Sequence, residues 1–432
     1  MPIPPAEDVL TRKIVDLKTQ NPTLGIAKIH ALLLKECPDW LVSEKRTKKI
    51  LQNEGLTAIA NKPGSQPAAH HVHPTSRLIP NLDMSKWTSK VRVKMFDKVK
   101  GKGLVSAVDM QEGDLIWKED PFIVAPEWEI YDLVESGKAC ALCTTPFSPD
   151  SPLIINCPAS TSSCRCPARF CNRLCVARSA KVHPLLCPAQ NPASVPLMRF
   201  ARDNQWMALG ALIHCISRVL LAHQHKDAKA DLDIMRSFAS LGMEERAKYD
   251  FNIREPDRQT WKKAHHLVVQ AFKEPKTPNE QKKLGKILKK PLDEDIDQEF
   301  FNYDPGFLRN LGKMSLNLEA HGGLYILHSH LNHSCLPNVS VRHNDKRTAL
   351  SRISLITKRP ISIGDELTIS YVNPDLPYKM RQEQIRQWGF GPCKCERCVS
   401  EERLFQLKDV LEESNLDMDD IARELKAGLG VM

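Results

Sequence analysis

Three features of the sequence predict an α+β chain. Apolar residues recur at helical spacing before residue 56 and again from Pro196 to about Phe301. Strand-like alternation fills the stretches from Val91 to Pro126 and from Tyr325 to Tyr371. Cysteines are packed into two short clusters, at 140–187 and 393–398. The 432 residues are 42% hydrophobic and 26% charged, with 14 cysteines and a net charge of +9, a globular composition that excludes collagen, coiled coil and wholesale disorder. No stretch approaches about 18 uninterrupted apolar residues, and the opening MPIPPAEDVL has neither a basic leader nor an apolar core, so a soluble, intracellular protein with no membrane partner is expected. In a reducing compartment, closely spaced cysteines read as metal ligands rather than disulfides.

In chain order, Val9, Leu10, Ile14, Val15 and Leu17, then Ile26, Ile29, Leu32 and Leu33, then Ile50, Leu51 and Leu56 predict three short amphipathic helices ending at Gly55. Lys45, Arg46, Lys48 and Lys49 on the third are either a solvated face or a surface for nucleic acid. Residues 61–90 turn Pro-, Ser- and His-rich and read as a linker, with His70, His71 and His73 as flexible polar residues. Val91, Val93 and Met95 alternate with basic residues, and the run from Lys100 to Pro126 offers two more strands joined by a turn at Gln111-Glu112-Gly113-Asp114. Beyond the helical stretch, the acidic run Asp293, Glu294, Asp295, Asp297 and Glu299 and the pair Asp365-Glu366 are candidates for an acidic groove. A charged amphipathic helix closes the chain, and Cys37 and Cys215 are expected as core thiols on helices.

Zinc takes four sulfur or nitrogen ligands in a tetrahedron, and short Cys-x-x-Cys loops or one-turn helical spacings deliver them in pairs. Between Cys140 and Cys187 there are enough ligands for two closed sites, including Cys171 with Cys175 and His183 with Cys187 at i, i+4. Metal binding would then replace much of a hydrophobic core. The segment resembles the MYND zinc finger. That resemblance implies one zinc on Cys140, Cys143, Cys171 and Cys175 and a second on Cys157, Cys166, His183 and Cys187. Cys164 is the alternative to Cys157, which is preferred because the apolar run Leu153-Ile154-Ile155 reads as a strand delivering it.

Four further strings stand in order: KGKGL at Lys100 to Leu104, LNHSCLPNVSV at Leu331 to Val341, GDELTISYVNP at Gly364 to Pro374 and WGFGPCKCERC at Trp388 to Cys398. Together they resemble the SET domain of protein lysine methyltransferases, and the inserted finger resembles the split SET and MYND family in its fungal branch. The fold so implied is a SET β-fold with an inserted zinc finger, a helical insertion, a post-SET zinc clamp and a small N-terminal helical bundle. Its parts are a bundle at 1–60, the linker at 61–90, SET at 91–139 and 317–375, the finger at 140–187, the helical insertion at 188–316, post-SET at 376–400 and a last helix at 401–432.

The resemblance implies S-adenosyl-L-methionine as cofactor beside zinc. Lys102 and Gly103 would contact its methionine end, Gly101 and Gly103 allowing close backbone approach. Asn332 and the His333 backbone would hold its amino-acid and adenine parts, Phe390 or Trp388 would offer a flat face, and Asn317 would add a polar contact. Tyr371 stands where the family has its catalytic tyrosine, with Tyr325 a second candidate for the lysine channel. Cys335 with Cys393, Cys395 and Cys398 would complete the post-SET zinc. Implied partners are histone tails, Pro-rich peptides on the finger and chromatin, in nucleus and cytoplasm. The competing reading is a non-catalytic zinc-finger adaptor for protein or nucleic-acid partners; a relic would have lost Asn332, His333 or Tyr371, and all three stand.

Overall fold

The computed structural model describes residues 5–21, 24, 26–53, 73–148, 151–225, 228–248, 256–343 and 351–405. Gly55, Leu56, His70, His71 and the closing helix beyond residue 405 lie outside them. The chain divides into two compact units at residue 70.

In the first unit, α1 (Glu7–Gln20), α2 (Ile26–Glu36) and α3 (Glu44–Asn53) close on Leu10, Ile14, Leu17, Ile29, Leu33, Ile50 and Leu51. Val9, read as part of the apolar face, is exposed because it shares its face with the polar Arg12, Lys13 and Asp16. The Ser43 hydroxyl accepts the Arg46 N–H at 3.3 Å, starting α3, whose Lys45, Lys48 and Lys49 are exposed. Cys37 is half-buried just past α2.

The second unit is built on two small sheets. After β1 (Val91–Met95), β2 (Lys102–Ser106) and β3 (Leu115–Glu119) come β4 (Ile123–Val124) and α4 (Trp128–Glu135). The cysteine-rich module holds β5 (Ile155–Asn156), β6 (Arg169–Phe170), α5 (Arg173–Ser179) and α6 (His183–Leu186). The helical stretch comprises α7 (Val195–Asp203), α8 (Met207–His223), α9 (Ala228–Ser237), α10 (Met243–Lys248), α11 (Arg258–Phe272), α12 (Pro278–Ile287), α13 (Glu294–Phe300) and α14 (Leu308–Asn317). Then follow β7 (Gly323–Leu324), β8 (Asn332–His333), β9 (Val339–His343), β10 (Ile353–Thr357), β11 (Glu366–Ile369) and α15 (Tyr378–Gln387), and residues 396–405 are helical.

The larger sheet has the order β1-β2-β11-β8 and the next β3-β10-β9, beside the two-stranded pairs β4-β7 and β5-β6. The turn at 111–114 therefore joins strands of different sheets rather than a hairpin, because β2 is taken on both edges by β1 and β11. The β8–β11 pair is parallel, Thr368 opposite Asn332 and Ile369 opposite His333. The two sheets share a core of Val91, Leu104, Trp117, Leu331, Leu355 and Leu367, with Tyr371 packed at its margin. The helices enclose a separate apolar core around α8, where Cys215 is buried against Met314. Among the described residues no helix is long and apolar enough to cross a membrane.

The acidic run at the start of and along α13 is divided: Asp293, Glu294 and Asp295 are exposed, and Glu299 is turned inward. Glu299 is buried and accepts from Lys313 Nζ (3.1 Å), Arg236 Nε (3.0 Å) and Asn310 Nδ2 (3.0 Å), so these donors hold its carboxyl down at about 2 against the cost of burial. Asp295 pairs with Arg236 and Asp297 with Lys273. Asn317 ends α14 tied to Ala239 through both its amide groups (3.2 and 2.8 Å), a structural bracket rather than a site residue.

Candidate active site

The core of the site is the loop from Leu331 to Cys335. Pro337 interrupts a regular ladder, and β8 runs for two residues beside β11 before Ser334 donates its N–H to Ile369 (2.8 Å). Asn338 fastens the far end, donating to the Glu366 carbonyl (2.8 Å) and accepting from the Thr368 N–H (2.8 Å). Bonds at both ends of the loop to β11 thus fix its path.

Asn332 reaches across to β2. Its Nδ2 donates to the Lys102 carbonyl (3.1 Å) and to Glu366 Oε1 (3.0 Å), and Glu366 also pairs with Lys100. The Asp365-Glu366 pair is therefore spent on internal contacts, Asp365 accepting the Ser362 N–H (3.0 Å). Gly103 lies under this amide: a Cβ there would stand 2.5 Å from the Phe96 ring and 2.8 Å from Asn332 Nδ2, so only glycine fits. Lys102 is 3% exposed, its ammonium against the Ser329 hydroxyl (3.3 Å) and 5.8 Å from the centre of the Phe238 ring. Burial without a carboxylate partner pulls its pKa down to about 7.

Tyr371 follows β11. Its hydroxyl donates to the Leu331 carbonyl at 2.6 Å and its N–H to His333 Nδ1 at 3.0 Å. Burial holds the His333 imidazole near 4 and pushes the Tyr371 phenol above the ordinary tyrosine range, so Nδ1 is an acceptor and the hydroxyl keeps its proton. The Tyr371 ring is tilted against His333 (5.3 Å between centroids) and Phe390 (5.5 Å). Trp388 is half-buried at the end of α15 and contributes no ring contact of this kind among the described residues. Tyr325 is buried, donating to the Ser351 carbonyl and bonded to His321 Nε2 (2.8 Å), with no bond to Tyr371.

Two residues of the site escape a sequence reading. Glu119, 1% exposed at the end of β3, accepts the N–H groups of Leu327 (2.8 Å) and His328 (3.0 Å) and the Trp117 indole (3.1 Å). It thereby holds the turn that carries Ser329 to Lys102. A charge at an inward position of LIWKE is the one available signal for it, and a lone serine in HSH offers none for Ser329.

Three tetrads of ligand atoms lie within 4.8 Å: Cys140, Cys143, Cys171 and Cys175; Cys157, Cys166, His183 and Cys187; and Cys335, Cys393, Cys395 and Cys398. Sulfur separations of 3.5 Å (Cys143 to Cys171), 3.8 Å (Cys157 to Cys187) and 3.5 Å (Cys335 to Cys398) match the edge of roughly 3.8 Å that a tetrahedral Zn–S₄ site requires. The donor sets therefore fit zinc. Cys164 stands outside the second tetrad, accepting from Lys283 Nζ (3.3 Å), while Cys157 directly follows β5. Cys171 and Cys175 do not share a helix: Asn172 caps α5 between them, accepting the Leu174 and Cys175 N–H groups (2.9 and 3.0 Å). The third tetrad joins the site loop to the chain after Phe390, reinforced by Arg397, which donates to the Pro374 carbonyl (2.7 Å), and by the buried Arg381, which pairs with Glu401.

This loop against a strand, with a cysteine set behind it, defines a member of one family of folds. The SET domain model matches residues 101–372, and the chain belongs to the SET domain family. It is similar to "Histone-lysine N-methyltransferase SET5" of Mycosarcoma maydis, 31% identical over 72% of this chain and 68% of that protein, and of Yarrowia lipolytica, 30% identical over 98% and 88%. A solved structure, "Crystal structure of the SET domain of LSMT bound to Lysine and AdoHcy", matches 71% of this chain and 53% of that one at 11% identity with a TM-score of 0.31.

Proposed function

We propose that this chain is an S-adenosyl-L-methionine-dependent protein-lysine N-methyltransferase acting on histones. The observation that carries the reading is the convergence on one loop of the Tyr371 hydroxyl, the Asn332 amide and Cys335. Relatives that carry the histone-lysine methyltransferase name along nearly the whole chain support the substrate class.

The residues present fit the cofactor. Lys102 offers a buried amine without a carboxylate partner, only glycine fits at 103, the Asn332 amide stands beside them, and the Phe390 ring lies against Tyr371. S-adenosyl-L-methionine, when bound, supplies an electrophilic methyl group. The protein's share of the reaction is positioning and proton management. Because the Tyr371 proton is committed to the Leu331 carbonyl, the phenol oxygen presents lone pairs that accept a hydrogen bond from a target amine and aim it. The Tyr371 and Phe390 rings form an apolar wall that lowers the amine's pKa, favouring the neutral nucleophile.

All three tetrads are closed sets of four and would hold structural zinc. We read residues 140–187 as a MYND-type finger, placing the chain with the split SET and MYND proteins, and Cys335 with the last three cysteines as a post-SET clamp over the cofactor loop. Exposed Leu153 and Leu174 on the finger support docking of Pro-rich peptides. Action on histones supports a place at chromatin in the nucleus, and a cytoplasmic pool is proposed beside it. The test is incubation of the full chain with labelled cofactor and core histones, followed by mass spectrometry. Transfer to a histone lysine is expected; absence of both transfer and cofactor binding would leave the adaptor reading.

A further inference from the structure

Residues 73–77 precede the SET match and carry none of the motifs. They nevertheless meet three separated parts of the unit. Thr75 exchanges backbone hydrogen bonds with Ser240 (2.9 and 2.8 Å), and Arg77 Nε donates to the Arg236 carbonyl at 3.0 Å, fixing the strap to the helices. The His73 ring lies 3.3 Å from where a Cβ on Gly391 would stand, next to Phe390. Between these anchors the Ser76 hydroxyl accepts the Lys102 N–H at 3.2 Å.

The N–H and C=O of one strand residue point to the same edge. For Lys102 that edge is not covered by β11, whose pairing with β2 covers Leu104 and Val105. Its carbonyl is taken by Asn332 and its N–H by Ser76, so the two side chains clamp one peptide segment. Gly101 shows how close the approach is. Its φ of +71° suits glycine, and a Cβ there would stand 2.5 Å from the Ser76 oxygen. The β1–β2 turn braces itself through Asp97, which accepts from Val99 and Lys100 (2.8 and 2.7 Å), but nothing in that turn reaches the Lys102 N–H.

We propose that Ser76 is a positioning residue for the cofactor: by holding the Lys102 N–H from a strap anchored on the helices, it sets the path of the Gly101–Gly103 segment. The inference rests on the cofactor reading of Lys102 and Gly103. Ser76 touches neither reacting group, so its effect falls on cofactor binding rather than on the chemical step.

The test uses the full chain and two readouts: titration with S-adenosylhomocysteine, and steady-state kinetics with core histones. Ser76→Ala removes one hydrogen bond to the loop and is expected to raise the KM for S-adenosylmethionine and the Kd for S-adenosylhomocysteine by about three- to tenfold. The kcat and the histone KM stay as in the wild type, the melting temperature falls by no more than one lost hydrogen bond accounts for, and Ser76→Thr, which keeps the hydroxyl, restores binding. Arg77→Ala, at an exposed position that leaves the core intact, moves the same constants in the same direction by less. Unchanged cofactor constants in Ser76→Ala, or a parallel fall of all kinetic constants with the melting temperature, would overturn the proposal while wild-type binding upheld the cofactor reading. A wild type that bound no S-adenosylhomocysteine would overturn that reading, and the inference with it.

Discussion

Replacing Lys102 by methionine is expected to stabilise the unliganded protein and to weaken cofactor binding, two effects of opposite sign from one side chain. The amine is buried, with a hydroxyl for its hydrogen-bond partner. Its pKa falls from 10.5 to about 7. Below about 7 both folded and unfolded chains carry the charge, and the folded state bears the whole cost, roughly 4–5 kcal/mol from the gap in pKa. Between about 7 and 10.5 the unfolded chain binds the extra proton, so stability rises with pH and the cost fades. Methionine matches the shape and removes the charge, at the loss of the Ser329 bond, about 1 kcal/mol. The net gain is on the order of 3 kcal/mol at about pH 6.5, shrinking to about zero near pH 10. Thermal melts at these two pH values measure it, and titration with S-adenosylhomocysteine measures the loss of a cation for its carboxylate. A variant that melts below wild type at the lower pH, or a gap independent of pH, would refute the burial argument. Unchanged affinity would refute the role of the amine in the site.

Other perturbations separate the remaining parts. Tyr371→Phe keeps the ring packing but frees the Leu331 carbonyl, and turnover on histones should fall about 10²-fold while the Kd for S-adenosylhomocysteine stays near the wild-type value; wild-type turnover would remove Tyr371 from the chemistry. Cys335→Ser should lower the zinc content from three per chain to two and weaken cofactor binding as well, read by metal analysis beside titration. Cys157→Ser should cost one zinc and Cys164→Ser none; full zinc in the first variant would reverse the assignment. Lys313→Met leaves Glu299 with Arg236 and Asn310, and should destabilise by roughly 2–3 kcal/mol at neutral pH. Because the Glu299 pKa is lowered to about 2, the network's contribution is present above about 4.5 and lost as pH falls towards 2, so the difference between variant and wild type should narrow on acidification.

How much of this was legible in the sequence depended on how local the signal was. Ligand spacings and motif strings are local, and the structure gathers the cysteines and His183 into the three tetrads expected of them and sets Asn332, Tyr371 and Phe390 near one another. Pairing between strands is not local. Alternation shows that 102–106 and 115–119 are strands, but the partners that draw them into different sheets lie beyond residue 350. Charge is misleading for the same reason: Asp295, Asp297 and Glu299 read as acidic surface until Arg236, Lys273 and Lys313 arrive from other helices to pair with them. Asn317 looks like any candidate polar contact until Ala239 claims both ends of its amide.

The same non-locality explains why the third cysteine tetrad, holding the proposed zinc, would matter to a reaction in which the metal takes no part. The Leu331 carbonyl that holds the Tyr371 hydroxyl, the Asn332 amide that clamps the Lys102 segment and the His333 nitrogen that accepts the Tyr371 N–H come from consecutive residues. Two residues later, Cys335 enters the third tetrad, and the other three sulfurs come from the segment that follows Phe390. Without that bond the loop is held by a two-residue strand pair, the Asn338 bracket and single hydrogen bonds from Asn332, His333 and Tyr371, for a segment that must hold three atoms to within a fraction of an ångström. A four-sulfur clamp adds stiffness at the point where the loop would otherwise swing. It also couples the order of the Phe390 wall to that of the Tyr371 hydroxyl, because both hang from the same site. Loss of zinc at this tetrad should therefore show as loss of cofactor affinity and of turnover together, as no purely remote structural zinc would.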